Sequence, residues 1–154
     1  MSQIEEKLKE LNIELPQMPA PAGSYVPAVI VDKMVFVSGQ LPTIKGELKY
    51  SGKVGKDITP EEAYEAAKLC ALNALGVLKS YLGDLDRIAQ IVRIGGFVNS
   101  QDGFTMQPKV INGASDFLVE VFGERGKHAR AAVGVNELPL NAAVEVEMLV
   151  YLKD

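Results

Sequence analysis

The chain contains a single cysteine, Cys70, and a single histidine, His128. One thiol excludes an intrachain disulfide. One Cys and one His cannot build a zinc centre of the usual Cys/His composition, and no metal is expected. The pattern G-x-S-x-G of a nucleophile elbow is absent, and a Ser-His-Asp triad would have to use His128. No glycine-rich phosphate loop is present, so no cofactor is expected. No apolar run reaches the roughly 18 residues of a membrane span. The N-terminal stretch MSQIEEKLKELNIELP alternates charged and apolar residues. It lacks the apolar core and small-residue cleavage site of a signal peptide, which leaves the cytoplasm as the expected location. There is no basic run, and the net charge is −4. Nucleic-acid binders carry a basic face, so nucleic acid is not an expected partner.

What is present fits an ordinary globular protein of 154 residues, 47% hydrophobic and 23% charged. That length suits one domain over 1–154, with 1–22 as an N-terminal helix and proline-rich extension. Residues 2–12 place Ile4, Leu8 and Leu11 on one helical face, and Ser2 with Glu5 has capping-box form. Pro16–Gly23 holds three prolines and reads as an extended linker. Tyr25–Val31 and Met34–Ser38 read as strands joined by a turn at Asp32-Lys33, and Pro27 places the first at an edge. Gly39–Gly55 reads as loop, with a short strand around Glu47–Tyr50. Thr59, Pro60 and Glu62 open a helix that Gly83 closes. Cys70 falls on its apolar stripe and is expected to be a core thiol. Asp86–Asn99 reads as a long strand, with Gly95-Gly96 as a bulge or a point of close approach. A second helix spans Gln107–Phe122, and strands follow over Ala131–Asn136 and Ala142–Leu152. This order reads as an α+β domain with two helices on one face of a mixed sheet.

The fragments Val37-Ser38-Gly39-Gln40-Leu41-Pro42 and Arg130 to Pro139 (RAAVGVNELP) resemble the SGQ-[IL]-P and R-x-x-V-x-V-x-x-L-P signatures of the Rid/YjgF family, also described as endoribonuclease L-PSP. Val144-Glu145-Val146-Glu147 is similar to the family's final strand. Together with the order of elements, the resemblance covers roughly residues 23–152. The helical N-terminal extension, the Gly46–Pro60 segment and the Asn112–Phe117 stretch look more like a longer, YjgF/chorismate-mutase-like subgroup described as endoribonucleases. The resemblance implies the chorismate-mutase-like fold and a homotrimer whose three sheets surround a central barrel. Its sites would lie in clefts between neighbours.

The resemblance also implies roles for particular residues. Arg130 would grip a substrate carboxylate, a task that suits the planar fork of a guanidinium. Glu145 would hold a water or a substrate group. Strand alternation puts it on one face with Glu147, opposite Val144, Val146 and Met148. Tyr25, in Gly23-Ser24-Tyr25-Val26, would line the cleft from the start of the first strand, and Ser38 and Gly39 would lie near the ligand. Asn112 and Asn99 compete for the family's site asparagine, and counting back from Arg130 favours Asn112. Ala132 stands where many deaminating members have a cysteine. His128 reads as a surface residue beside the site. The expected activity is hydrolytic deamination of small carboxylated imines or enamines to a 2-oxo acid and ammonia. The alternatives are binding of a small carboxylate without catalysis, and RNA cleavage.

Overall fold

The computed structural model describes residues 2–18 and 23–154. In chain order the elements are α1 (Gln3–Glu10), β1 (Ala28–Val31), β2 (Met34–Gln40), β3 (Thr43–Ile44), β4 (Glu47–Leu48), α2 (Pro60–Leu82), β5 (Ile88–Asn99), α3 (Gln107–Phe122), β6 (Ala129–Val135) and β7 (Val144–Leu152). Five strands form one mixed sheet in the order β1-β2-β7-β5-β6, and β3 with β4 makes a separate small hairpin. Only β5 and β6 run parallel, because α3 carries the chain back across the sheet between them.

The helix layer covers one sheet face. In β7 every second residue from Val144 to Leu152 is buried, and the residues between them are more open. This alternation turns Val144, Val146 and Met148 toward the helices and Glu145 and Glu147 away from them. α2 begins at a full capping box: Thr59 Oγ1 accepts from Glu62 N–H, and the Glu62 carboxylate accepts from Thr59 N–H. Its alanine-rich stripe lets the sheet approach, and the buried Cys70 thiol lies 3.6 Å from the Val144 carbonyl. Burial pushes the Cys70 thiol well up from its ordinary value. The two long helices cross where α3 has no side chain. A Cβ on Gly113 would overlap the Tyr64 carbonyl of α2. Beside that crossing Tyr64 donates to Asp116 at 2.7 Å, and this bond helps push the phenol up to about 12.

α1 docks on its own chain. Ser2 caps it, and the free N–H groups of Gln3 and Ile4 donate to the Asp86 carboxylate at 2.8 and 3.0 Å. Glu5 pairs with Lys79 at 2.7 Å, and Pro16 crosses α2 against Gly76. At the other end of the chain, Lys153 N–H donates to the carbonyl of Arg87, next to Asp86.

Several boundaries differ from those read in the sequence. Residues 19–22 of the expected linker lie outside the described residues. The first strand starts at Ala28 rather than Tyr25, because Pro27 has no N–H for a ladder; it does lie at the sheet edge. Thr43–Ile44 adds a short strand opposite Glu47–Leu48. Leu85–Arg87 is a 3-10 turn capped by Asp84, so β5 begins at Ile88. Register shifts in β5 fall between Ile88 and Gln90 and between Ile91 and Arg93, not at the glycine pair. Gly95 and Gly96 are points of close approach, with Glu147 over one and Ile111 of α3 over the other. β6 starts two residues early, at Ala129, which puts Arg130 inside the strand.

Candidate functional site

Arg130 lies on β6, an edge strand, in register with the fully buried Ile94 of β5. It therefore shares the helix-side face with Ile94, and its guanidinium reaches α3. One terminal nitrogen donates to Ser115 Oγ at 3.0 Å and the other to the Pro108 carbonyl at 3.3 Å. Pro108 and Ser115 are seven residues apart, two helical turns, and so share one face of α3. Asn112 lies between them on that same face, four residues after Pro108. Among the described residues, two of the five guanidinium N–H groups have hydrogen-bond partners. Ala132 follows Arg130 on the same face of β6 and packs against the core.

The remaining candidates gather at the other side of the sheet, on β1, β2 and β7. Ser38 Oγ donates to the Val26 carbonyl at 3.0 Å, which ties the end of β2 to the segment carrying Tyr25. Tyr25 precedes β1 and is 61% exposed. The β2–β7 register shifts between Val37 and Gln40, and within that irregularity Gly39 leaves space that the Glu145 side chain occupies. Burial holds the Glu145 carboxyl above its ordinary value, and the negative charge of Glu147 adds to the rise. Glu147 is paired with Arg93 at 3.5 Å. On this face a cleft of about 340 Å³ is lined by Val29, Phe36, Ser38, Arg93 and Glu147, among others.

The candidates thus form two groups. Arg130, Asn112 and Ala132 stand on β6 and α3; Tyr25, Ser38, Gly39 and Glu145 stand on β1, β2 and β7 and the segments next to them. β5 separates them, and Arg130 and Glu145 point to opposite faces of the sheet. Within one protomer they cannot touch the same small ligand.

Asn99 is fully buried, and its amide donates to the Gly52 carbonyl and to Asn141 Oδ1. It ties the 50s loop to the end of β5 and stands apart from Arg130. His128 differs from the surface residue expected: it is half-buried and bonded on both ring nitrogens, to Ser115 and to the Gly126 carbonyl. Sequence reading missed Ser115 and Arg93, the partner of Glu147. Ser115 was within reach, since it sits one turn from Asn112. Among the described residues, no three His, Cys, Asp or Glu side chains come together as a metal cluster.

The family model described as "YjgF/chorismate mutase-like, putative endoribonuclease" matches residues 5–152. The chain belongs to this family. It is 46% identical to Protein TCP17 of Trypanosoma cruzi over 96% of this chain and 92% of that one. It is 27% identical to a 2-iminobutanoate/2-iminopropanoate deaminase of Dermatophagoides farinae, over 92% of this chain and 95% of the other. Among solved structures, the protein Atu1372 of Agrobacterium tumefaciens superposes with a TM-score of 0.92 at 45% identity, covering 98% of this chain and 93% of its own.

Proposed function

We propose that the chain is a hydrolytic deaminase of small carboxylated imines or enamines, acting at clefts between the subunits of a homotrimer. The split of the candidate residues into two groups carries this reading. Arg130 offers its guanidinium at one sheet edge, and Glu145 lies on the open face toward the other. A ring of copies would bring the Arg130 group of one to the Glu145 group of the next, since head-to-tail contacts close into rings. The open face also needs cover: Val29, Val31, Phe36, Val133 and Tyr151 are exposed on it, an apolar surface characteristic of an interface. The deaminase name of the Dermatophagoides farinae relative and the resemblance around Arg130 support the chemistry.

In the proposed reaction Arg130 binds the substrate carboxylate and fixes the imine carbon beside Glu145. A water held by Glu145 attacks that carbon while its proton passes to the carboxylate. As the C=N π electrons move to nitrogen, Glu145 returns that proton to it and a carbinolamine forms. The carbinol hydroxyl then gives up its own proton, which passes to the same nitrogen, as the C=O bond forms and the C–N single bond breaks. The products are the 2-oxo acid and ammonia. Burial raises the Glu145 carboxyl, which suits a group that must both take up and return a proton.

Ammonia release from freshly generated 2-iminobutanoate tests the reading, with Arg130→Ala beside wild type. Loss of turnover in the variant is the expected result, and equal rates would remove the proposal. Ala132, standing where many deaminating members have a cysteine, favours a second reading, in which the cleft binds a small carboxylate without turnover. Thermal stabilisation by 2-oxobutanoate with no ammonia released from any imine would select it.

A further inference from the structure

His128 and Ser115 lie outside both groups of candidate residues, yet they connect directly to Arg130. His128 Nδ1 is 2.6 Å from the Gly126 carbonyl, and Nε2 is 2.8 Å from Ser115 Oγ. A carbonyl only accepts, so Nδ1 carries the hydrogen. In the neutral ring that leaves Nε2 to accept the Ser115 hydroxyl hydrogen. The hydroxyl oxygen in turn accepts an N–H of Arg130 at 3.0 Å. Three donors therefore point the same way, from Arg130 to Ser115, from Ser115 to His128 and from His128 to Gly126. Bonds in such a series polarise and strengthen one another.

The end of the series is fixed. A Cβ on Gly126 would fall on the Leu118 carbonyl of α3, so this backbone packs tightly on the helix. The second tie of the guanidinium, to the Pro108 carbonyl, comes from the first turn of the same helix. An arginine side chain has long rotamer freedom, and a ligand that meets it unrestrained must order it on binding. Here α3 holds the fork in one plane before any ligand arrives.

We infer that His128 is a positioning residue for Arg130, acting through Ser115, and that the pair sets carboxylate affinity rather than the rate of the chemical step. The inference rests on the reading of Arg130 as the carboxylate-binding group. It makes the segment Lys127–Arg130 a single device, in which the residue two positions before the arginine orients it through the neighbouring helix.

The test compares wild type with Ser115→Ala, Ser115→Thr, His128→Asn, His128→Gln and Arg130→Ala. KM and kcat on 2-iminobutanoate are measured, with affinity for the product 2-oxobutanoate by calorimetry and the melting temperature of each variant. Ser115→Ala and His128→Asn break the series, because the shorter amide reaches the Gly126 side but not Ser115. Each is expected to raise KM and weaken 2-oxobutanoate about tenfold, the scale of one hydrogen bond to a charged group, with kcat changed by less than about threefold. Ser115→Thr keeps the hydroxyl, and His128→Gln keeps an acceptor near Nε2, so both recover most of the affinity. Unchanged affinity in Ser115→Ala and His128→Asn, or a loss that follows the melting temperature and is not recovered by Thr and Gln, overturns the inference. Arg130→Ala separates the two layers. If it leaves 2-oxobutanoate binding intact, the reading of Arg130 itself fails; if it abolishes binding while the others do not, only the positioning role fails.

Discussion

Gly39 and Glu145 fit each other as backbone and side chain: a Cβ on Gly39 would stand 2.9 Å from Glu145 Cδ, and nearer still to Oε2. The obstructing atoms belong to the free end of a side chain, so Gly39→Ala should cost little stability while pushing the carboxylate from its place. A displaced catalytic group slows turnover strongly. We expect kcat on 2-iminobutanoate to fall about 100-fold in Gly39→Ala, with the melting temperature nearly unchanged in a thermal scan. A variant as active as wild type would remove Glu145 from the reaction as proposed.

Glu145 also makes a pH prediction. Its folded-state carboxyl is raised, mainly by burial, so the charged form carries a penalty in the folded protein. Below the ordinary carboxylate range the group is protonated in both states and the penalty is absent. It grows as pH rises through the raised folded value. Glu145→Gln should therefore melt at or above the wild-type temperature at pH 7, with the gap closing toward pH 4. The same variant should lose deaminase activity. Melting curves at several pH values check the first part; a clearly lower melting temperature at pH 7 would contradict the burial cost.

If each cleft draws Arg130 from one copy and Glu145 from the next, two inactive variants should complement. Arg130→Ala and Glu145→Ala co-expressed in equal amounts place both intact residues at about one cleft in four by random assortment around a ring. Mixed oligomers should recover about a quarter of wild-type activity, measured against each variant alone. No recovery, with mixed oligomers demonstrated by mass spectrometry, would mean that the two residues do not share a cleft in this way.

The exposed Phe36 lies on the open face, between Val29 and Leu149 in the register. Phe36→Arg puts a charge in the surface that the assembly would bury. If the proposed trimer forms through this face, sedimentation should show a folded protomer in its place, with loss of turnover because the two groups part. A variant that stays trimeric would move the interface elsewhere.

Gly113→Ala acts on the fold instead. The added methyl meets the Tyr64 backbone, which cannot turn aside. Overpacking of this kind costs about 2–3 kcal/mol, or about 5–10 °C in a domain of this size. A melting temperature within 2 °C of wild type, on the scale of about half a kcal/mol, would show that the helices separate freely there.

Much of this arrangement is legible in the residues. The Thr59-Pro60-Glu62 start and the Gly83 stop fix α2 because capping is local chemistry. The alternation of Val144, Glu145, Val146 and Glu147 fixes which side of β7 faces the helices. The Leu85–Arg87 turn was hidden, since Asp84 and Asp86 disrupt an otherwise strand-like run. The two-sided placement of Arg130 and Glu145 was also hidden. It depends on β6 pairing parallel to β5 and on its exact starting residue, and neither is written in local sequence. For the same reason the link from His128 to Arg130 escaped notice: it runs through Ser115, a residue of another element.

The turn at Asp86–Arg87 receives both ends of the described chain, α1 through the Asp86 carboxylate and Lys153 through the Arg87 carbonyl. It lies at the start of β5, while Arg130 pairs with that strand at Ile94, six residues or about 20 Å further along. The two ends are thus neighbours in space, remote from the arginine. A short bridge of glycine and serine could join them, and the backbone could be opened at an exposed turn such as Gly103 without cutting the sheet. The fold is in this sense close to a closed loop, and a circularly permuted chain would inherit the same strand order with its termini moved elsewhere.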